Sequence, residues 1–176
     1  MQYQLNNIIN NLTETFEGTP WHGLSLKIIL EEVDVETAFF RPFPHKHNIA
    51  ELVAHILIWR QFVIEILNEN YNFKLDIGAL EDFPEVKKSE KVWNELLTQL
   101  FENQALLVEK LDAFDPENLD EDIPKKTFTY RYIFDGVVNH DVYHAGQIAL
   151  LKAAFQTPQN DIETLKKTLD YKAISK

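Results

Sequence analysis

Cysteine is absent from this chain of 176 residues, so the protein has no disulfide, no thiolate metal ligand and no cysteine nucleophile. Any thiol chemistry must therefore use a thiol supplied from outside. Long apolar runs are also lacking, since no stretch approaches the ~20 residues that a membrane-spanning helix needs. The N-terminal residues Met-Gln-Tyr-Gln-Leu show neither the basic nor the apolar region of a signal peptide. We therefore expect a cytoplasmic protein without a membrane segment.

Basic residues are in the minority, with 17 Lys and Arg against 28 Asp and Glu and a net charge of -11. This charge repels phosphate backbones and anionic lipid, and no cluster of Lys and Arg interrupts it. Nucleic acid and membrane surfaces are therefore not expected as partners.

Apolar residues recur at helical spacing over four long segments. The second follows Asn48, which is suited to cap a helix, and the fourth begins near Thr129. No strand or repeat is evident, but a short polar helix is expected over residues 161–171. At this length we expect one domain, residues 1–176, with an all-α fold: a four-helix bundle with a short extra helix. The four segments span residues 5–16, 49–67, 89–111 and 129–155.

The fourth segment carries two histidines, His140 and His144, four residues apart on one helix face. They occupy positions that packing would otherwise give to aliphatic residues, so we expect both to point inward. Two imidazoles at this spacing are the minimum with which a single helix grips a divalent metal. Asp141 and Tyr143 lie off this face and are expected at the surface or in an interface.

A third ligand is expected from the core side of another long helix, because a bundle brings facing helices within reach. His55 qualifies, since it lies at the edge of the apolar stripe of the second segment. Alone, it would be read as a histidine hydrogen-bonded at the edge of the core. With His140 and His144 it completes a set of three neutral nitrogen ligands that leaves a position open for water or substrate. Such a set suits zinc first, and nickel or another late first-row metal as alternatives.

Four further residues are candidates for supporting the metal or lining its pocket, each with a simpler interpretation. Glu51 is placed to accept an imidazole N–H, although a glutamate near a helix start is more often solvated. Gln147 either lines the pocket or makes a helix–helix hydrogen bond. Trp59 is a packing residue or a pocket wall, and His22 is a weaker candidate for the pocket mouth.

Three stretches of the sequence resemble one known family, and the resemblance covers nearly the whole chain in order and spacing. The chain is similar to DinB-like proteins of the DinB/YfiT-like superfamily, a group described as metal-dependent enzymes. This resemblance implies a four-helix bundle, often homodimeric, with a three-histidine metal site that maps onto His55, His140 and His144. The stretches are residues 21–26 (Trp-His-Gly-Leu-Ser-Leu), 47–60 and 139–148 (Asn-His-Asp-Val-Tyr-His-Ala-Gly-Gln-Ile).

The resemblance is less specific about the reaction than about the site. It implies transfer of a low-molecular-weight thiol to an electrophile, isomerisation of a thiol adduct, or hydrolysis. We therefore expect a thiol-dependent S-transferase or a related hydrolase with a small-molecule substrate. The alternative is a non-catalytic metal-binding or stress-related bundle protein. A metalloprotease is disfavoured, because the segment from His140 to His144 has aspartate where that motif has its catalytic glutamate, and no later histidine follows.

Overall fold

The computed structural model describes residues 1–43, 45–75, 82–157 and 161, and within these ranges it contains six α-helices and no strand. A 3-10 turn, Pro116–Asn118, lies between the last two helices. The predicted all-α class is confirmed. None of the described helices is both long enough and apolar enough to span a membrane. The helices are α1 (Gln2–Glu17), α2 (Leu26–Glu31), α3 (Val35–Phe39), α4 (Ile49–Leu67), α5 (Glu90–Asp112) and α6 (Tyr130–Gln156).

The four long helices α1, α4, α5 and α6 enclose the core. Helix α4 packs against α5 and α6, and α1 packs against the same two helices. The buried apolar residues form two clusters, one containing residues 62–66 of α4 and the other containing residues 49–53. On α6, Ile133, Phe134 and Val137 belong to the first cluster, and Ala145, Ile148 and Leu151 belong to the second. A layer of polar residues lies between the two clusters, and it contains the histidines.

Two short helices, α2 and α3, connect α1 to α4, whereas the sequence predicted a short helix only at residues 161–171. That segment lies outside the described residues, apart from residue 161. Helix α2 buries three apolar residues in the second cluster. Helix α3 begins at Asp34, whose carboxylate accepts a hydrogen bond from the Thr37 amide at 2.8 Å. A six-residue and a five-residue helix are too short for apolar periodicity to reveal them.

Helix α4 begins where the sequence predicted, at Ile49, with Asn48 as its cap. The Asn48 side chain accepts from the Glu51 amide at 2.9 Å, and the Glu51 carboxylate accepts from the Asn48 amide at 3.1 Å. This reciprocal capping box satisfies two backbone N–H groups that the helix itself leaves unpaired. It fixes the start of the helix that carries His55.

Candidate metal centre

The structure brings together the three histidines that the sequence singled out. Nε2 of His140 lies 3.0 Å from Nε2 of His55 and 3.1 Å from Nε2 of His144. One ring nitrogen from each residue lies within 4.8 Å of the other two. Because α4 supplies one imidazole and α6 supplies two, the packing of these helices sets the geometry of the group.

The hydrogen bonds of the outer ring nitrogens determine which inner nitrogens carry lone pairs. His55 Nδ1 donates to the backbone carbonyl of Asp82 at 2.6 Å, and His144 Nδ1 donates to Gln147 Oε1 at 2.7 Å. In the neutral imidazoles, Nε2 of both residues is therefore unprotonated. His140 Nε2 carries at most one proton, which it donates to only one of these two neighbours. The other contact brings two lone pairs together, and a cation between the nitrogens removes this repulsion.

The spacing of the three nitrogens also fits a metal ion. Zinc–imidazole bonds of about 2.0–2.1 Å in a tetrahedral arrangement place the ligand nitrogens about 3.3 Å apart. The two shortest separations, 3.0 and 3.1 Å, are only slightly smaller. The residues present therefore fit a divalent ion, and three protein ligands leave a tetrahedral position open.

Burial keeps the three imidazoles neutral, which is the form that a metal requires. It lowers the pKa of His55 and of His144 below the ordinary value. The pKa of His140 falls to about 3, first because of burial and then because His144 and His55 disfavour a further positive charge. A proton therefore competes poorly with a metal ion at neutral pH.

Asp82 orients His55, although no pattern in the sequence indicates this role. Besides its carbonyl contact, its carboxylate Oδ1 lies 3.1 Å from His55 Nδ1 and accepts from Trp59 Nε1 at 3.0 Å. The next residue, Phe83, stacks on His55 with ring centroids 3.8 Å apart, and its ring also stacks on His47 at 3.8 Å. Both residues lie outside the described helices, so no periodic pattern could reveal their position.

The structure assigns different places to the four supporting candidates. Gln147 orients His144 through a hydrogen bond within α6, and Trp59 lines the pocket. The carboxylate of Glu51 caps α4 and pairs with Arg41 at 2.6 Å, so the acceptor for His55 is Asp82 rather than Glu51. His22 is exposed, lies 3.4 Å from the Thr15 hydroxyl and does not line the pocket.

A buried ion pair lies beside the histidines and includes Asp141, which was expected at the surface or in an interface. Both Asp141 and Arg60 have no exposed surface. Arg60 Nη2 donates to Asp141 Oδ2 at 2.5 Å, and Arg60 Nη1 donates to Gln104 Oε1 at 2.7 Å. The guanidinium also lies over the ring of Phe16, 5.0 Å from its centroid. The buried face of α6 passes through residue 141, and Arg60 supplies the charge that makes an aspartate tolerable there.

A cavity of about 910 Å³ opens beside the histidines, between α4 and α6. All three imidazoles lie in its wall. The cavity continues along α6 to the first residues of that helix, so the three histidines occupy one end of a longer space. Its aromatic lining residues are Trp59, Phe62, Phe83, Tyr132 and Tyr143.

The fold and the centre together define an all-α protein with a three-histidine group suited to a metal ion. The family model of the DinB superfamily matches residues 25–148, which include all three histidines. The chain belongs to the DinB superfamily, as the resemblance predicted. No curated protein and no solved structure matches the chain.

Proposed function

We propose that this protein is a metal-dependent enzyme that transfers a low-molecular-weight thiol to a small electrophile at the centre formed by His55, His140 and His144. The observation that carries the proposal is the convergence of three Nε2 atoms, two of them left unprotonated by the hydrogen bonds of their own rings. Hydrolysis of a small molecule at the same centre is the related activity.

A divalent ion held there, zinc first and nickel or another late first-row metal as alternatives, would supply Lewis acidity at a coordination position that the protein leaves open. The chain's own residues would hold and orient it. Asp82 fixes the ring of His55, and Gln147 fixes the ring of His144. Because the chain contains no cysteine, no thiolate of its own competes with a thiol substrate.

Two further expectations belong to the same proposal. We propose that α1, α4, α5 and α6 form the four-helix bundle typical of the family, since each of these helices packs against at least two of the others. The homodimer that the resemblance implied is also a proposal. Multi-angle light scattering of the purified protein tests it.

Metal analysis tests the foundation of this proposal. The chain, purified without a histidine tag, should carry close to one zinc, nickel or related ion per molecule by plasma mass spectrometry. His144→Ala should lose most of this metal because it removes one of three ligands. His22→Ala is the matched control, since it removes an exposed histidine outside the centre, and it should keep the metal. Wild-type protein that takes up less than about 0.1 ion per chain, even with metal added, would contradict the proposal.

A thiol screen tests the reaction. The metal-loaded protein is offered several cellular thiols with an aryl halide whose conjugation changes its absorbance. Turnover should require metal and should fall at least about 100-fold in His144→Ala. Loaded protein that is inactive with every thiol but cleaves ester or amide substrates would favour the hydrolase. Inactivity in both assays would favour the non-catalytic metal-binding protein.

A further inference from the structure

The cavity extends well beyond the histidines. Its volume of about 910 Å³ lies near the upper end of the range of about 300–1,000 Å³ for small-molecule sites. The lining residues on α6 run from Thr129, at the cap of the helix, to His144. At 1.5 Å per residue, this stretch is about 22 Å long. A compact ligand at the metal centre would therefore fill only one end of the space.

The part of the cavity remote from the metal centre has an apolar wall. Phe62 and Val63 line it from α4, and Ile133 and Val137 line it from α6. Tyr132, which also lines it, is 68% exposed. A tail bound against this wall removes its own apolar surface and part of the exposed Tyr132 ring from water, which contributes about 25 cal/mol per Å².

The charges along the cavity disfavour an anionic ligand tail. Apart from the histidines, Arg131 is the only basic residue among the described lining residues. Its guanidinium is already paired with Asp120, through Nε to Oδ1 at 2.5 Å and Nη2 to Oδ2 at 3.0 Å, and it also donates to Gln4 at 3.0 Å. Asp82 and Asp135 add two carboxylates to the lining. The remote part therefore offers an anionic tail the like charge of Asp135 and an Arg131 cation that is already paired, while Asp82 lies at the other end, beside His55.

From this size, apolarity and charge we infer that the remote part of the cavity binds an alkyl or aryl tail without anionic groups, carried by the substrate that reacts at the metal centre. The inference rests on the proposed function and names the class of its substrate. A small electrophile with a long apolar tail fits this space, whereas a polyanionic substrate does not.

Gly136 provides a way to block the remote part without touching the metal centre. It lines the cavity, and no atom lies within 4 Å of the position that a Cβ would take there. Helical side chains lean toward the N-terminus of their helix, so a leucine at this position points away from His140. Gly146 is the matched control, because it lies on the same helix with equally open surroundings but outside the cavity lining.

Three hydroxamates serve as probes of the zinc-loaded protein by titration calorimetry. Acetohydroxamate reports the metal centre alone, octanohydroxamate adds an alkyl tail, and the monohydroxamate of suberic acid ends a tail of equal length in a carboxylate. Octanohydroxamate has six methylenes more than acetohydroxamate. If the protein buries half of their surface, octanohydroxamate should bind about 50-fold more tightly. The terminal carboxylate should remove at least about tenfold of this gain.

The two glycine variants then locate the tail. Gly136→Leu should weaken octanohydroxamate about tenfold and change acetohydroxamate less than about twofold. Gly146→Leu should bind both probes as the wild type does. Equal affinity for the short and long probes, or equal loss in both variants, would overturn the inference and leave the proposed function intact, because acetohydroxamate still reports the centre.

If the protein binds no metal, a titration of the metal-free protein with 1-octanol still tests the apolar-tail site separately from the proposed function. The amide resonance of Gly136 should shift on addition of octanol and that of Gly146 should not. No shift at Gly136 would overturn the inference independently of the metal. Light scattering completes the test: if octanohydroxamate fails to bind and Gly136→Leu converts a dimer to a monomer, this face contacts a second copy of the chain and the inference is wrong.

Discussion

Among single residues, the buried pair of Arg60 and Asp141 joins α4 to α6, and Gln104 of α5 accepts a further hydrogen bond from Arg60. Removing two charges from water costs several kcal/mol for each ion, and the pair offsets this cost only while both partners are present. The contact also fixes the rotation of α6 relative to α4, because a guanidinium that donates to one carboxylate through both Nε and Nη2 tolerates little sliding.

Asp141→Asn should destabilise the protein by about 3–5 kcal/mol, since it leaves the charge of Arg60 buried and uncompensated. Urea unfolding followed by circular dichroism measures this loss. The double variant Arg60→Met, Asp141→Leu should recover most of it, because it removes both charges. Asp120→Asn is the control, since it breaks an exposed pair with Arg131 and should leave the midpoint nearly unchanged. A loss in Asp141→Asn no larger than in this control would contradict the account.

The histidines should make the metal-free protein sensitive to mild acid. The pKa of His140 is about 3 in the fold against 6.5 ordinarily. Between these values the unfolded chain binds a proton that the folded chain does not, so the stability present above pH 6.5 is lost as the pH falls toward 3. The free energy of unfolding should fall by about 1 kcal/mol per pH unit between pH 6 and 5. His140→Gln should show a shallower dependence, and an unchanged slope in this variant would exclude His140 as the cause.

At the scale of helices, the start of α4 positions His55, and Asn48 and Glu51 hold that start. Asn48→Ala should cost about 1 kcal/mol in urea unfolding, because the amide of Glu51 loses its acceptor. Ser89→Ala is a matched control at the N-terminus of α5, where the serine side chain makes no capping hydrogen bond. This control should change stability little. Equal losses in the two variants would show that the capping box does not stabilise α4.

The four long helices were predictable because each carries an apolar stripe long enough to show helical periodicity. The short helices α2 and α3 were not, since a helix of five or six residues is stabilised by tertiary contacts and its caps more than by its own pattern. A local signal did exist for α3: Asp34 is followed three residues later by Thr37, whose amide it caps. Capping residues are therefore more informative than apolar spacing for such short elements.

At the scale of the whole molecule, two apolar clusters enclose a polar layer that contains the three histidines and the ion pair of Arg60 and Asp141. The histidines could be found from sequence because each lies on or beside an apolar stripe, where a polar residue is unexpected. The hydrogen-bond and ion-pair partners within that layer could not be found from the sequence. Arg60 meets Asp141 across 81 residues, and Asp82 meets His55 across 27, and neither contact leaves a local pattern. A buried polar pair of this kind can be recognised only once the fold shows which two residues meet.

We propose above that His55, His140 and His144 together bind one divalent ion and leave a coordination position open. X-ray absorption spectroscopy at the zinc edge, on tag-free protein loaded with one equivalent of zinc, measures the ligands of that ion. We expect three imidazole nitrogens at about 2.0–2.1 Å, a further light-atom ligand, and loss of one imidazole in His144→Ala. A zinc ion with fewer than two imidazole ligands, or a spectrum that is the same in His144→Ala, would contradict it.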